Sequence, residues 1–277
     1  MNVSAWLKSA EHTLSKAAVA TARLDALVLL EDALGLERAQ LLAHPETEIP
    51  ADTQNVLNEQ LERRAEHEPL AFVRGKTEFY GREFLITSAV LEPRPESETM
   101  IELLIRYCKG VLKPVQDDKG LRIADVGTGS GALGITASLE LPDASVELMD
   151  VDEAALEVAY SNVIKFTSGN QRFKTDLLDR SPKDYDVLLC NLPYVPDDHT
   201  INAAAMHEPK IAIFGGPDGL DLYRKLFKQI SELQKQPLLI LCESLPPQHA
   251  ALKAIAEAHD YRQDAEEDFI QVFVLDK

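Results

Sequence analysis

From residue 121 onward, apolar runs of strand length alternate with segments of helical periodicity, and this alternation limits the possible folds more than any other feature. The predicted strands cover 121–126, 145–149, 185–190, 237–242 and 269–275. The predicted helices between them cover 132–141, 154–166, 220–233 and 248–258. Such a pattern predicts an α/β domain, in which helices cover both faces of a parallel sheet and ligands bind at the carboxyl ends of the strands.

The residues before this alternation predict two smaller parts. Residues 1–68 carry apolar side chains at helical spacing, and Gly35 is placed to cap a helix that ends at Leu34. Residues 69–92 contain short β-type runs separated by glycines, which predicts a β-hairpin linker. Those runs are Phe72-Val73, Phe79-Tyr80 and Phe84-Leu85-Ile86. We therefore expect a helical domain over 1–68, a hairpin linker over 69–92 and the main domain over 93–277, with a helix at 96–107 and a linker at 111–120.

The charge of the chain bears on its partners. Its 28 Lys and Arg residues face 46 Asp and Glu residues, for a net charge of -18. A surface of this charge repels phosphates on average, so we expect no direct contact with nucleic acid. Three scattered cysteines without metal-ligand spacing indicate a reducing compartment and no metal. Because apolar runs of about 18 residues and a signal sequence are both missing, we expect a cytoplasmic protein without a membrane partner.

A glycine loop follows the first strand of the main domain. It reads Asp125-Val126-Gly127-Thr128-Gly129-Ser130-Gly131, and the next strand ends at Asp150. An acid at that distance is placed to accept hydrogen bonds from two ribose hydroxyls. The dinucleotide fingerprint has a two-residue gap before its last glycine, whereas this loop has single-residue gaps. The pattern favours S-adenosylmethionine, with Asp152 as a helix N-cap and Asp176 either near the adenine or solvated.

The chemistry is carried by Asn191-Leu192-Pro193-Tyr194, at the end of a later strand. The tetrapeptide resembles the Asn-Pro-Pro-Tyr of methyltransferases that act on planar amino groups. An amide nitrogen is a poor nucleophile, and two acceptors, the Asn191 side-chain oxygen and the Leu192 carbonyl, would hold its two N–H bonds. Pro193 would fix the turn and Tyr194 would pack on the flat amide. The same Asn-Leu-Pro-Tyr occurs in enzymes that dimethylate adenine in ribosomal RNA, so nucleic acid methylation stays an alternative.

Taken together, these motifs resemble the family of protein-(glutamine-N5) methyltransferases that modify release factors, the PrmC/HemK family. The resemblance rests on the loop, the tetrapeptide and further blocks: Arg63-Arg64-Ala65, Glu68-Pro69-Leu70-Ala71, Gly75, Phe79, Gly81, Pro93-Arg94-Pro95-Glu96-Ser97-Glu98, Glu208-Pro209 and Gly215-Gly216-Pro217-Asp218-Gly219-Leu220. It implies a helical substrate-recognition domain, a hairpin linker and a seven-stranded Rossmann-like domain that uses S-adenosylmethionine and releases S-adenosylhomocysteine. The implied substrate is the glutamine of a release factor's Gly-Gly-Gln motif. Separately, we expect the protein to be a monomer.

The same resemblance assigns site residues by their positions in this chain. Gly127 to Gly131, Asp150, Asp176, Leu177 and Asn191 would contact the cofactor, and Asn191 to Tyr194 would form the catalytic and substrate site. The chain departs from the family at Leu192, where proline is usual, at Leu177, where an aromatic residue is expected, and before the last strand. A glutamine methyltransferase for a ribosomal protein, an adenine methyltransferase and a non-enzymatic S-adenosylmethionine sensor are the competing interpretations.

Overall fold

The computed structural model describes residues 1–110, 120–179, 184–200 and 205–276. The chain forms two compact units. One comprises Met1–Lys76 and the described residues of Ile201–His207, and the other comprises the described residues of Thr77–Thr200 and Glu208–Lys277. Most of the linker predicted at 111–120 lies outside the described residues. Within the described ranges, every helix is too short or too polar to cross a membrane.

The first unit is helical, as expected. Its helices are α1 (Val3–Lys16), α2 (Ala22–Leu34), α3 (Arg38–Ala43), α4 (Ala51–Ala65) and α5 (Leu70–Arg74). Their apolar faces enclose one core that includes Trp6, Leu14, Leu30 and Leu57. Gly35 ends α2 in the left-handed conformation, with φ of 64°, which confirms the predicted cap.

One local prediction for the linker was wrong. Phe72-Val73 belongs to helix α5 and not to a strand. Pro69 precedes the first turn of this helix, where its missing N–H is harmless, and Gly75 ends it with φ of 73°. These two signals, together with burial of Ala71, Phe72 and Val73, outweigh the β propensity of a two-residue run.

The hairpin itself is confirmed, but it is shorter than the predicted linker. It pairs β1 (Lys76–Phe79) with β2 (Arg82–Leu85). The two connecting residues, Tyr80 and Gly81, have φ of 52° and 67°. Positive φ at both positions matches the twist of two antiparallel strands, which explains why a glycine stands in this turn.

The second unit contains the predicted α/β sheet, which has seven strands. They are β3 (Arg122–Val126), β4 (Ser145–Asp150), β5 (Gln171–Lys174), β6 (Val187–Cys190), β7 (Leu239–Glu243), β8 (Tyr261–Glu267) and β9 (Ile270–Leu275). Their order in the sheet is β5-β4-β3-β6-β7-β9-β8. The helices are α6 (Glu98–Lys109), α7 (Ala132–Glu140), α8 (Glu153–Phe166), α9 (Asp221–Ser231) and α10 (His249–Glu257). The α/β fold class is thereby confirmed.

The sheet differs from the prediction at its edges. β9 runs antiparallel to β7, and β8 runs antiparallel to β9, so the sheet is mixed and not wholly parallel. The edge strands β5 and β8 were missing from the predicted set. Both are polar, because an edge strand of an open sheet needs less apolar surface than a central one.

The strand order places the ligand site. The chain proceeds outward from β3 to β4 and β5, and then crosses back so that β6 pairs with the other side of β3. Helices on the two sides of a sheet diverge at such a reversal and leave a crevice at the carboxyl ends of the strands. Val126, Asp150 and Cys190, which end β3, β4 and β6, therefore bound one crevice.

Candidate active site

The glycine loop connects β3 to α7 in a tight turn. Gly127, Gly129 and Gly131 have φ of 74°, 54° and 82°, a region that other residues rarely adopt. At Gly131, the N-cap of α7, a Cβ atom would lie 2.9 Å from the end of the Ile135 side chain, which would have to shift. The glycines are therefore required by the backbone path that brings the loop over the carboxyl ends of β3 and β4.

Asp125 holds this loop from below. Its Oδ2 accepts hydrogen bonds from Thr128 Oγ1 at 2.5 Å and from the Gly134 backbone N–H at 2.8 Å. The side chain is 1% exposed, and burial raises its pKa to about 6. Asp125 thus shapes the loop and the start of α7 from a position inside the fold.

Asp150 meets the loop from the neighbouring strand. Its Oδ2 accepts a hydrogen bond from the Gly129 N–H, and its Oδ1 accepts one from the Asp152 N–H, each at 2.9 Å. Burial is the main cause that raises the pKa of Asp150. Asp152 caps α8 through its side chain, as predicted. Each carboxylate oxygen of Asp150 has a second lone pair, so further donors can bind on the pocket side.

A cavity of about 350 Å³ opens above these groups. Ten of the twelve residues predicted to contact cofactor or substrate line this cavity, and the two exceptions are Gly131 and Tyr194. They are Gly127, Thr128, Gly129, Ser130, Asp150, Asp176, Leu177, Asn191, Leu192 and Pro193. The lining also includes residues that the site prediction omitted, namely Phe79, Val90, Ser97, Leu222 and Lys225.

Asp176 and Leu177 stand at one side of the cavity. Asp176 is exposed and forms an ion pair with Lys225 of α9. Leu177 is buried and has a φ of 56°, which is unusual for leucine. An aliphatic side chain can contact a flat ring through its surface, without the stacking that an aromatic residue would give.

The Asn191 side chain is held by a hydrogen-bonded chain of polar groups. Asn191 Nδ2 donates to Ser97 Oγ at 3.0 Å, and Ser97 Oγ donates to Glu243 Oε2 at 2.6 Å. Tyr194 Oη donates to the other carboxylate oxygen of Glu243 at 3.0 Å. Tyr194 therefore points away from the cavity, toward the end of β7. The sequence-based interpretation had instead placed it against the target amide. Burial raises the pKa of Glu243, which is 1% exposed.

Tyr223 of α9 joins the strand ends beneath the tetrapeptide. Its buried hydroxyl donates to the carbonyl oxygens of Cys190 and Glu243, at 3.0 Å for Cys190. The Leu192 side chain is buried against the glycine loop. The end of β6 that leads into the tetrapeptide and the Leu192 side chain are thus both held in place.

Of three further sequence blocks, two pair with each other and the third lies against the tetrapeptide. Arg94 donates to both carboxylate oxygens of the buried Glu208, each at 2.7 Å. A side chain at Gly215 would collide with the Pro193 carbonyl oxygen, and one at Gly219 would collide with that of Tyr194. Because the backbone of this glycine block lies directly against the tetrapeptide, larger residues cannot occupy these positions.

Glu243, Tyr223 and Gln248 were absent from the sequence-based site. Gln248 Nε2 donates to the carbonyl oxygens of Tyr194 and Asp218, each at 2.7 Å. The sequence pattern could have identified Glu243 as a site residue, because it ends the largely apolar strand Leu239–Glu243 at the ligand-binding edge. An acid that ends a buried central strand needs polar partners there. Tyr223 and Gln248 lie on polar helical stretches that resemble ordinary surface segments.

The seven-stranded sheet, the glycine loop with Asp150 and the polar tetrapeptide define a Rossmann-like methyltransferase domain. The catalytic domain of hMettl16 in complex with the MAT2A 3'UTR hairpin 1 shares this fold, with a TM-score of 0.56 and 14% identity over 79% of this chain and 80% of that one. Residues 5–75 match the model of the PrmC N-terminal domain, and residues 109–208 match that of the methyltransferase small domain.

Curated relatives specify the family. The release factor glutamine methyltransferase of Koribacter versatilis (strain Ellin345) is 34% identical over 237 residues, covering 84% of this chain and 82% of the relative. That of Bacillus subtilis (strain 168) is 34% identical over 233 residues, covering 82% and 80%. The chain belongs to the release factor glutamine methyltransferase family.

Proposed function

We propose that the protein transfers a methyl group from S-adenosylmethionine to the side-chain amide nitrogen of the glutamine in a release factor's Gly-Gly-Gln motif. One observation carries the proposal. Asn191 donates through its nitrogen to Ser97, so its oxygen faces away from Ser97, on a side chain that lines the cavity beside the glycine loop. The Asn191 oxygen, held in this orientation, can accept a hydrogen bond from the N–H of a target amide. The planar nitrogen of a glutamine side chain needs such an acceptor to be held in place.

The cavity suits S-adenosylmethionine. The Asp150 carboxylate has lone pairs for two ribose hydroxyls, and a side chain at Gly129 would extend into open space beside it. We assign the ribose to Asp150, the amino acid part to Gly127–Gly131 and the adenine to the side near Leu177 and Asp176. When bound, S-adenosylmethionine supplies a methyl group on an already activated sulfonium. This chemistry needs neither a metal nor a strong base, and S-adenosylhomocysteine is the product.

The tetrapeptide would position the target nitrogen. The Asn191 Oδ1 and the Leu192 carbonyl oxygen accept its two N–H bonds and place its lone pair in line with the methyl group. As positive charge grows on nitrogen, both acceptors bind it more strongly, so they stabilise the transition state more than the ground state. Pro193 stiffens the turn and Tyr194 anchors its end through Glu243. The proton is lost to solvent after transfer, when the methylated nitrogen is acidic.

We further propose that the helical unit selects the protein substrate. Its core is complete in itself, with all its buried members between Val3 and Val73. The matching of residues 5–75 to the PrmC N-terminal domain model supports this division. We expect the enzyme to act in the cytoplasm as a monomer, without direct contact to nucleic acid or membranes. The net charge of -18 favours a protein substrate over an RNA or DNA substrate.

The test is methyl transfer from labelled S-adenosylmethionine to a purified release factor, followed by mass spectrometry of the modified peptide. Label should appear on the glutamine of the Gly-Gly-Gln motif. A release factor with asparagine in place of that glutamine is the matched control, and it should stay unlabelled. Parallel reactions with ribosomal proteins and with ribosomal RNA test the competing substrates. Labelling of either, with an unlabelled release factor, would overturn the proposal.

A further inference from the structure

A buried acid lies behind the tetrapeptide, out of reach of substrate. Glu243 ends β7, and both of its carboxylate oxygens accept hydrogen bonds, from Ser97 Oγ at 2.6 Å and from Tyr194 Oη at 3.0 Å. An ionised carboxylate at 1% exposure is destabilised by the loss of water, so it requires such donors. Ser97 also accepts from Asn191 Nδ2 at 3.0 Å, so it connects the acid to the tetrapeptide.

The charge on Glu243 sets the direction of each hydrogen bond in this chain. A carboxylate can only accept, and a serine hydroxyl has a single proton. The Ser97 proton therefore points to Glu243, and the Ser97 oxygen is left to accept from a donor. The donor facing it is the Asn191 NH2 group. The two ends of an amide side chain have nearly the same shape, so it is this polarity that determines which end faces Ser97.

We propose that Glu243 is a positioning residue which, through Ser97, holds the Asn191 side chain with its oxygen toward the substrate. The catalytic consequence rests on the proposed function, because it matters only if the Asn191 oxygen binds the target amide. The orientation of Asn191 itself does not depend on that function. Glu243 would thus act without touching either the cofactor or the reacting nitrogen.

Protonation of Glu243 would reverse the direction of the hydrogen bonds that run from Asn191 through Ser97 to Glu243. A neutral carboxyl group can donate to Ser97, whose own proton would then turn toward Asn191. The Asn191 side chain would then turn over, so that its oxygen accepts from Ser97 and its NH2 group faces the substrate. There the NH2 group and the N–H bonds of the target amide, both donors, would repel each other. Burial raises the pKa of Glu243 and the nearby negative charge of Glu96 adds to this, whereas hydrogen bonds from Ser97 and Tyr194 oppose it. Activity should therefore fall toward acid pH, at a higher pH than an exposed glutamate would give.

The experiment compares Glu243→Gln with a matched buried acid. Glu147, on β4, is 2% exposed and accepts a hydrogen bond from the Tyr185 hydroxyl, so Glu147→Gln makes the same chemical change away from the cavity. Single-turnover transfer to a release factor is measured from about pH 5 to about pH 9. Glu243→Gln should lower the rate by roughly 10- to 100-fold and flatten the acid limb, the size expected for a misoriented polar partner. Glu147→Gln should retain the wild-type rate per folded molecule and the wild-type fall in rate toward acid pH.

Smaller variants separate orientation from folding. Ser97→Ala removes the connecting hydroxyl, whereas Ser97→Thr retains it and should restore most of the rate. Calorimetric titration of S-adenosylmethionine checks each variant, and the dissociation constants should stay within a few-fold of the wild type. An unchanged rate and acid limb in Glu243→Gln would overturn the proposal. So would equal losses of rate in Ser97→Thr and Ser97→Ala, because a purely structural role would not distinguish the hydroxyl.

A second readout does not require methyl transfer. The side-chain NH2 resonance of Asn191, assigned by its loss in Asn191→Ala, is followed by nitrogen-15 NMR through the same pH range. It should shift as Glu243 titrates in the wild type and stay constant in Glu243→Gln. If the release factor is not methylated but this shift is present, the proposed function fails and the positioning role stands. A resonance that is identical in both proteins at every pH would overturn the positioning role.

Discussion

At the scale of single residues, the site combines groups that face the cavity with groups that hold them in place. Asn191 and Asp150 line the cavity, whereas Asp125 and Glu243 are buried behind it. Both kinds are polar, and hydrogen bonds from neighbouring elements fix the orientation of their side chains. The first kind should affect binding or turnover directly, and the second should also affect stability and its dependence on pH.

Replacing Asn191 tests the mechanism. Asn191→Ala removes one of the two acceptors proposed for the target amide, and we expect turnover to fall by roughly two to three orders of magnitude, as for loss of one preorganised transition-state partner. The affinity for S-adenosylmethionine should change much less. The measurement is single-turnover transfer to a release factor, with a parallel calorimetric titration. Near-normal turnover would contradict the assigned role of Asn191.

Replacing Asp150 tests the cofactor site. Asp150→Ala removes the acceptor assigned to the ribose and the hydrogen bond from the Gly129 N–H. We expect S-adenosylmethionine to bind more weakly by roughly 1–3 kcal/mol, the scale of a charge-assisted hydrogen bond. Calorimetric titration measures the change. Unaltered affinity, or tight binding of NAD by the wild type without binding of S-adenosylmethionine, would refute the assignment.

Asp125 predicts a pH dependence of stability. Its pKa is raised to about 6 in the folded protein, above the ordinary aspartate value of 3.8, so the folded state binds its proton more tightly than the unfolded state does. The stabilisation from this proton is complete below the unfolded pKa and is lost as the pH rises from about 4 to about 6. Asp125→Asn does not titrate. Relative to it, the wild type should lose on the order of 2–3 kcal/mol of unfolding free energy across this window, measured by chemical denaturation at several pH values. Parallel curves for the two proteins would contradict the raised pKa.

At the scale of elements, the tetrapeptide depends on segments distant in the chain. The block from Gly215 to Gly219 lies against its carbonyl groups, and Tyr223 of α9 joins the ends of β6 and β7. The helical segment at Pro95–Ser97 brings the Ser97 hydroxyl to Asn191. The geometry of the site is therefore a property of several packed elements.

Two glycine substitutions separate backbone strain from steric collision. Gly219 and Gly169 have φ of 78° and 72°, so alanine is strained at both. A side chain at Gly219 would collide with the Tyr194 carbonyl, whereas one at Gly169 would meet open space. We expect Gly169→Ala to cost about 1 kcal/mol of unfolding free energy and to retain turnover. Gly219→Ala should cost more and should also reduce turnover strongly. Thermal unfolding and single-turnover assays measure both, and equal effects would contradict the close approach.

At the scale of the whole molecule, the two units have separate apolar cores. The helical core includes Val73 of α5, so the unit extends beyond residue 68, to Lys76. A truncation that removes residues 1–67 would leave α5 without its packing partners. The boundary for testing the division of labour is therefore residue 76.

Deletion of residues 1–76 should leave binding of S-adenosylmethionine largely intact, because the residues that line the cavity all follow Lys76. Methylation of the release factor should be lost, since the proposed substrate-selecting unit is removed. Calorimetry and the methyl-transfer assay test the two parts separately. A truncated enzyme that methylates the release factor at the full rate would disprove substrate selection by the helical unit.

Local patterns in the sequence were sufficient for much of this protein. Hydrophobic periodicity and the Gly127–Gly131 loop predicted the α/β fold and the cavity at the strand ends, because both depend on neighbours in the chain. The tetrapeptide predicted the chemistry through its residue types alone. Phe72-Val73 was misassigned because two apolar residues fit either a strand or a helix until their packing is known.

Only the tertiary structure decided how the site is held. Ser97, Asn191 and Glu243 are far apart in the chain and meet because β6 and β7 are adjacent in the sheet and Pro95–Ser97 lies against their ends. The same packing turns Tyr194 toward Glu243 and gives Arg94 its partner Glu208. Which polar groups pair is set by burial, since each must find a donor or acceptor once water is excluded. The pairing of these polar groups depends on how the whole molecule packs, so it cannot be predicted from the local sequence.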